Sequence, residues 1–279
     1  EEILDVQKTQ PYPVFTSPAE AAAALHVSAT YSERKSARNE RGALYDFYFD
    51  QKTVEEIRRR SLVGNRTVLT DEALAVCKAA GLQPVKSLVI KGSQTPGRIS
   101  LHYPVAVKLL SRDASHKSDI GGVAVNLRNR RELLEAIGGM KERLSLLPHP
   151  PAIDGFLVQE MAPAGIECFV GGRRDPAFGP VIVAGLGGIF VEIFKDTAIR
   201  LAPVTPIEAQ GMLKDLAAWP LLAGARGRGP ADCGALIDLI CRVSALLDAC
   251  PDIVEIDLNP VIVHPEGQGL SLVDAQVFF

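Results

Sequence analysis

One lysine, Lys108, stands inside the apolar run Val105-Ala106-Val107-Lys108-Leu109-Leu110. An ammonium group in such a run is costly to bury without an anionic partner. A nucleotide phosphate in a cleft is a suitable counter-ion; a place on the solvated side of a strand is the other reading of the same pattern. Eight residues on comes Ser115-His116-Lys117-Ser118-Asp119-Ile120-Gly121-Gly122, which joins an imidazole, a cation, a carboxylate and paired glycines. Glycines let backbone amides approach an anion, and a histidine can take up a phosphoryl group or shuttle protons near neutral pH. Ordinary polar turns use the same residue types.

Further along, Val158-Gln159-Glu160-Met161 is followed by Glu167 in Gly165-Ile166-Glu167-Cys168. These two carboxylates, one closing a strand and one opening the next, are placed to face one pocket; carboxylates accept from ribose hydroxyls, and a strand edge can pair with a purine. As surface acids at strand ends they would do neither. The glycine-rich stretch Ala184-Gly185-Leu186-Gly187-Gly188-Ile189-Phe190 can wrap phosphate with backbone amides. It is neither a Walker motif nor a full dinucleotide fingerprint, and the residues after it read as strand, which argues against a Rossmann site.

The last cluster is Glu255-Ile256-Asp257-Leu258-Asn259-Pro260, with Asp274 fifteen residues beyond Asn259. Strand alternation puts Glu255, Asp257 and Asn259 on one face and Ile256 and Leu258 on the other. Such hard oxygen ligands suit Mg²⁺, which takes one or two protein oxygens and then substrate phosphates. A solvent-facing polar side of an edge strand is the alternative.

The elements that must position these residues alternate. Thr16-Ser17-Pro18-Ala19-Glu20 reads as a helix start, leading to an Ala-rich helix that reaches about Tyr31. A strongly charged stretch follows, read as a solvated helical linker. Helices are expected over 70–81, 129–146, 206–216 and 232–249. Strands are expected over 85–90, 103–110, 123–127, 155–161, 167–171, 180–184, 190–194, 199–202, 253–258, 261–264 and 270–276. Interspersed helices and strands, several at hairpin distance, give a mixed α/β class with antiparallel sheet.

With 279 residues, 47% apolar and 23% charged, the chain can bury a substantial core. A net charge of −3 gives no general signal for nucleic acid, and no uninterrupted apolar run is long enough for a membrane helix. Neither is expected as a partner. Five cysteines without a CxxC pair fit neither a disulfide framework nor a zinc site; reduced, buried thiols and a cytoplasmic location are expected. The polar, acidic start differs from a signal peptide and lacks Met, so it is read as a processed end or an excised fragment.

Taken in order, Val107-Lys108, His116-Lys117-Ser118-Asp119-Ile120-Gly121-Gly122-Val123, Val158-Gln159-Glu160-Met161, Arg174-Asp175-Pro176-Ala177-Phe178-Gly179-Pro180, Gly185-Leu186-Gly187-Gly188-Ile189-Phe190-Val191-Glu192 and Glu255-Ile256-Asp257-Leu258-Asn259-Pro260 resemble the ATP-grasp part of ADP-forming acyl-CoA synthetases. These are the acetate–CoA ligases, relatives of the succinyl-CoA synthetase β chain. The resemblance implies an ATP-grasp fold of two lobes with the nucleotide between them, an N-terminal lobe over 62–157 and a C-terminal lobe over 158–279. Residues 36–61 would be the charged linker. Residues 1–35 resemble the tail of a preceding CoA-ligase-like domain.

By the same resemblance Lys108 would hold the nucleotide phosphates, Glu160 and Met161 would line the adenine hinge, and Glu167 would take the ribose hydroxyls. Gly187 and Gly188 would face the phosphates, and Asn259 and Asp274 would bind Mg²⁺. Asp257 would steady a phosphohistidine, and His116 would relay phosphate. The implied reaction joins an acid and CoA at the expense of ATP, giving acyl-CoA, ADP and phosphate. The sequence shows no dinucleotide-type CoA-binding motif and no separate motif for the primary phosphohistidine, so a CoA-binding domain or subunit is the expected partner. The competing expectation is a non-catalytic nucleotide-sensing module of a larger fusion, such as a protein acetyltransferase. The presence together of Lys108, His116, Asn259 and Asp274 favours catalysis.

Overall fold

The computed structural model describes residues 15–39, 47–62, 67–91, 99–114, 120–188, 196–225, 227 and 229–279. The chain divides into two units, Glu1–Leu44 and Tyr45–Phe279. In the first, helix α1 (Pro18–Asn39) runs eight residues past the expected end at Tyr31. Its start is built as the sequence suggests: the Ser17 hydroxyl accepts from the Glu20 amide at 3.2 Å, and the Glu20 carboxylate accepts from the Thr16 amide at 3.0 Å.

The second unit contains α2 (Gln51–Leu62), part of the segment expected as a solvated helical linker, and it is packed into the core rather than solvated. Val54, Ile57 and Ser61 fall on one buried stripe, as helical spacing requires. The charges that made the segment look like a linker occupy the opposite side, where Glu55 pairs with Arg58 at 2.8 Å and with Arg59 at 2.7 Å. Helix α3 (Thr70–Ala79) follows and buries Ala73, Leu74, Val76 and Cys77 in the same core as Val54 and Ile57.

Next come β1 (Ser87–Lys91), β2 (Val105–Leu110), β3 (Val123–Leu127), helix α4 (Arg130–Ser145) and β4 (Gly155–Glu160). The four strands form an antiparallel sheet in the order β1-β4-β2-β3. Asn129 caps α4 by accepting from the Glu132 amide at 3.0 Å. The helix lays Leu133, Ile137, Met140 and Leu144 against Val105, Val107, Leu109, Phe156 and Val158, which closes the smaller of two cores. The expected lobe boundary at 157/158 runs through β4, which belongs wholly to this sheet. Pairing with β2 and β1 fixes that strand through Glu160.

The remaining strands are β5 (Ile166–Asp175), β6 (Gly179–Leu186), β7 (Thr197–Leu201), β8 (Glu255–Val263), β9 (Leu270–Leu272) and β10 (Gln276–Phe278). They form a six-stranded sheet ordered β10-β8-β5-β6-β7, with β9 also paired to β8. Helices α5 (Pro206–Asp215), α6 (Trp219–Leu222) and α7 (Cys233–Ala249) complete the chain. One sheet face, including Val170, Ile182, Ala184, Ile256 and Leu258, packs with Ala209, Met212, Leu236, Ile240 and Leu247 in the larger core. Leu110 and Leu157 of the four-stranded sheet join that core and tie the two layers together. The strand expected over 190–194 lies outside the described residues.

The two strands expected over 253–258 and 261–264 are one continuous strand, β8. It passes through Asn259 and Pro260 because β5 pairs with it on both sides of them, the register shifting between Cys168 and Val170 opposite these two residues. On its other side the partner changes, from β10 at Glu255–Asp257 to β9 at Val261–Val263. The connection Val273-Asp274-Ala275 therefore lies beside Asn259 and Pro260, and the Val273 amide donates to the Pro260 carbonyl at 3.2 Å.

Candidate nucleotide site between the two sheets

Lys108 is buried, with 7% of its surface exposed, so the solvated alternative does not describe it. Its ammonium donates to Asp274 Oδ2 at 2.9 Å and to the Val273 carbonyl at 3.1 Å. A charge in a strand whose six residues are all buried needs such a partner, since desolvation alone would cost several kcal/mol. The partner comes from the other sheet, 166 residues along the chain. Two of the residues singled out in the sequence thus meet directly.

Gln159 shares this junction and was missed in the sequence. It is 1% exposed, its Nε2 donates to the Val273 carbonyl at 3.2 Å, and its Oε1 is buried with no partner. The signal was its place in Gly155-Phe156-Leu157-Val158-Gln159, a polar side chain at an inward position of an apolar strand.

On β8, Glu255, Asp257 and Asn259 alternate with buried Ile256 and Leu258, as the sequence indicated. The strand is interior, with neighbours on both sides, so these are not the polar face of an edge strand. Asp257 lies opposite Gln276 in register, two residues beyond Asp274. Burial, followed by the charges of Glu255 and Asp274, pushes the Asp257 carboxyl above its ordinary range. Asp274 already meets the one ammonium, and the charges of Glu255 and Asp274 both bear on Asp257; that excess of negative charge is the observation by which a divalent cation fits the site. Asn259 is exposed beside the 273–275 connection and Asp274 stands within it, so these two would hold the ion. Among the described residues no three His, Cys, Asp or Glu side chains form a ready-made cage; Mg²⁺ requires none, because water and phosphate complete its shell.

Glu167, Gly187 and Gly188 are also brought together. The Gly187 amide donates to the Glu167 carbonyl at 2.7 Å. A Cβ on Gly188, whose φ is +69°, would lie 2.9 Å from Glu167 Oε2. The glycines thus let the loop close on this glutamate. Glu167 pairs with Ile262, three residues along β8 from Asn259.

The Glu160 side chain is held by the segment before β2. Its Oε1 accepts from the His102 amide at 2.9 Å and lies 2.9 Å from His102 Nδ1. The His102 amide first, then its ring and Lys86, hold the carboxyl below its ordinary range. The side chain fastens the segment before β2, and the Met161 amide is committed to the Pro104 carbonyl at 3.2 Å. His116 lies outside the described residues, as do Glu192, Arg226 and Arg228. All five cysteines are free thiols, and burial pushes Cys77, Cys168 and Cys241 up to about 12. Among the described residues no helix is long and apolar enough to cross a membrane.

Residues 60–279 match the family model described as an ATP-grasp domain. The chain is 38% identical over 230 residues to the acetate–CoA ligase (ADP-forming) II subunit β of Pyrococcus furiosus, covering 81% of this chain and 96% of that one. It is 36% identical over 261 residues to the acetate–CoA ligase (ADP-forming) I of Archaeoglobus fulgidus. That match takes in 91% of this chain but spans 37% of the relative's length. The dinucleotide-forming acetyl-coenzyme A synthetase 1 of Ca. Korarchaeum cryptofilum, solved with coenzyme A and Ca-AMPCP, superposes with a TM-score of 0.73 at 33% identity, over 80% of this chain and 98% of that one. The same synthetase has been solved with coenzyme A and Mg-AMPPCP, its phosphohistidine segment pointing towards the nucleotide-binding site. With the family model covering most of its length and a relative above one-third identity matched nearly end to end, the chain belongs to the ATP-grasp family, alongside the β subunits of ADP-forming acetate–CoA ligases.

Proposed function

We propose that this chain is the nucleotide-binding part of an ADP-forming acyl-CoA synthetase, moving a phosphoryl group between ATP and a histidine. The observation that carries this reading is the meeting of Lys108 and Asp274, from two different sheets, at 2.9 Å. A cation and a hard-oxygen ligand held at one point are the parts that phosphoryl transfer needs, since its catalysis is mostly positioning and charge neutralisation.

Lys108 turns from Asp274 to the phosphates of ATP, and Asp274 and Asn259 are the residues that would hold Mg²⁺. Mg²⁺ held there would supply charge neutralisation at the phosphates. The amides of the Gly187-Gly188 loop face the phosphates, and Glu167 beside them takes the ribose hydroxyls. A histidine nitrogen attacks the terminal phosphorus and the bond to the bridging oxygen breaks. ADP leaves with the electrons of that bond, and the remaining ring proton passes to the Asp257 carboxylate. Asp257 accepts from the second ring N–H and orients the imidazole. The histidine is His116 or belongs to a CoA-binding domain or subunit, where an acyl phosphate forms and CoA captures the acyl group. Free thiols throughout suit a reducing, cytoplasmic setting.

The test is incubation with γ-labelled ATP and Mg²⁺, with and without a CoA-binding partner subunit, for the wild type and His116→Ala. Acid-labile label that needs His116 is the expected result. A chain that neither binds the nucleotide nor becomes labelled in the partner's presence would end this reading.

A further inference from the structure

The geometry points to Gln159 as a positioning residue: through the Val273 carbonyl it sets the direction of Asp274, and with it the coupling between metal and nucleotide. This inference rests on the Mg–ATP reading above. Strand alternation sends Phe156 and Val158 of β4 into the core beneath α4 and Gln159 to the opposite side, against the 273–275 connection of the other sheet.

A carbonyl oxygen has two lone pairs. Val273 uses them for Lys108 Nζ at 3.1 Å and Gln159 Nε2 at 3.2 Å. Its own amide is held by the Pro260 carbonyl at 3.2 Å. The backbone that carries Asp274 is therefore fixed from both sides, and Asp274 Oδ1 accepts from the Ala275 amide at 3.0 Å while Oδ2 meets Lys108. When Lys108 turns to phosphate, Gln159 is the side chain that still holds the Val273 carbonyl, so Asp274 keeps its aim at the metal while its ammonium partner departs.

A purely structural role predicts something else. Gln159 is buried with one end unsatisfied, which is unfavourable. A methionine of similar length would fill the same space without that cost, and packing alone would tolerate or prefer it.

The test is calorimetric titration of the full chain with AMPPCP, with and without Mg²⁺, for the wild type, Gln159→Met and Gln159→Asn, with melting as a control for folding. In the wild type Mg²⁺ tightens nucleotide binding. In Gln159→Met the metal-free affinity stays within about twofold, while the tightening by Mg²⁺ falls by up to about tenfold, the worth of one hydrogen bond. Gln159→Asn, polar but too short to reach Val273, shows the same loss and carries the test if the methionine variant does not fold. Unchanged Mg²⁺ tightening in a folded variant overturns the inference and leaves the nucleotide reading standing. An equal loss with and without metal also overturns it, by making Gln159 a direct nucleotide contact. A wild type that binds no nucleotide sinks both.

Discussion

Strands β2 and β8 bring charge to the same place in opposite ways. In β2 a single ammonium, Lys108, sits in a strand buried along its whole length and already has its carboxylate. In β8 the oxygen-bearing side chains Glu255, Asp257 and Asn259 line a half-open face, and burial, followed by the charges of Glu255 and Asp274, raises Asp257. The first arrangement is satisfied without a ligand; the second is the one that a cation in the proposed site would neutralise. The two sheets thus bring opposite charge to one junction, where Lys108 meets Asp274.

The comparison breaks most clearly at Lys108. Lys108→Met leaves Asp274 without its partner and should cost about 2–3 kcal/mol in urea unfolding. That is below the loss of a fully buried pair, because Asp274 keeps 31% of its side chain in solvent. Mg–AMPPCP binding should fall with it; a stability equal to the wild type would show that the pair does no structural work.

Gly188→Ala should have a smaller effect, about 1–2 kcal/mol. Its φ of +69° is unfavourable for a side chain, and the new Cβ would press on Glu167 Oε2 at 2.9 Å. Melting checks the first effect. Loss of affinity for ATP relative to a 2′,3′-dideoxy analogue checks whether Glu167 has been moved from the ribose.

At Asp257 the sign should reverse. Asp257→Asn removes like-charge repulsion and should leave the fold unharmed or more stable by about 0.5–1 kcal/mol, while phosphoryl transfer drops by about 10²-fold. The folded-state pKa of Asp257 is raised above the ordinary 3.8, so the folded protein keeps this proton to higher pH than the unfolded chain does. The wild type therefore loses stability relative to the variant as pH rises from 3.8 through the folded-state value, and the gap is constant above it. Chemical denaturation across that range should show the two curves separating in that direction; separation towards low pH would contradict the assignment.

Much of this was legible in the chain. The alternation in Glu255-Ile256-Asp257-Leu258-Asn259 and the lone cation of Val105-Ala106-Val107-Lys108-Leu109-Leu110 are local patterns, and each survives as a strand face. What escaped was long-range. Nothing near Glu160 announces that His102 will occupy its carboxylate, because the contact joins elements 58 residues apart. Gln159 was passed over for its charged neighbour, although strand period gives it the inward position. Helix α2 was taken for a linker because charge density masks a two-residue apolar stripe that has meaning only against α3. The continuity of β8 through Pro260 was hidden for a related reason: proline interrupts strands in general, and here β5 pairs with β8 on both sides of it.

The distance in sequence between Lys108 and Asp274, 166 residues, also bears on how the protein is made. During synthesis the lysine leaves the ribosome long before its carboxylate exists, and strand β2 must wait with an unneutralised ammonium. Closing so long a loop is slow compared with local helix formation. Closure of the proposed site therefore comes late in synthesis, after Asp274 has emerged.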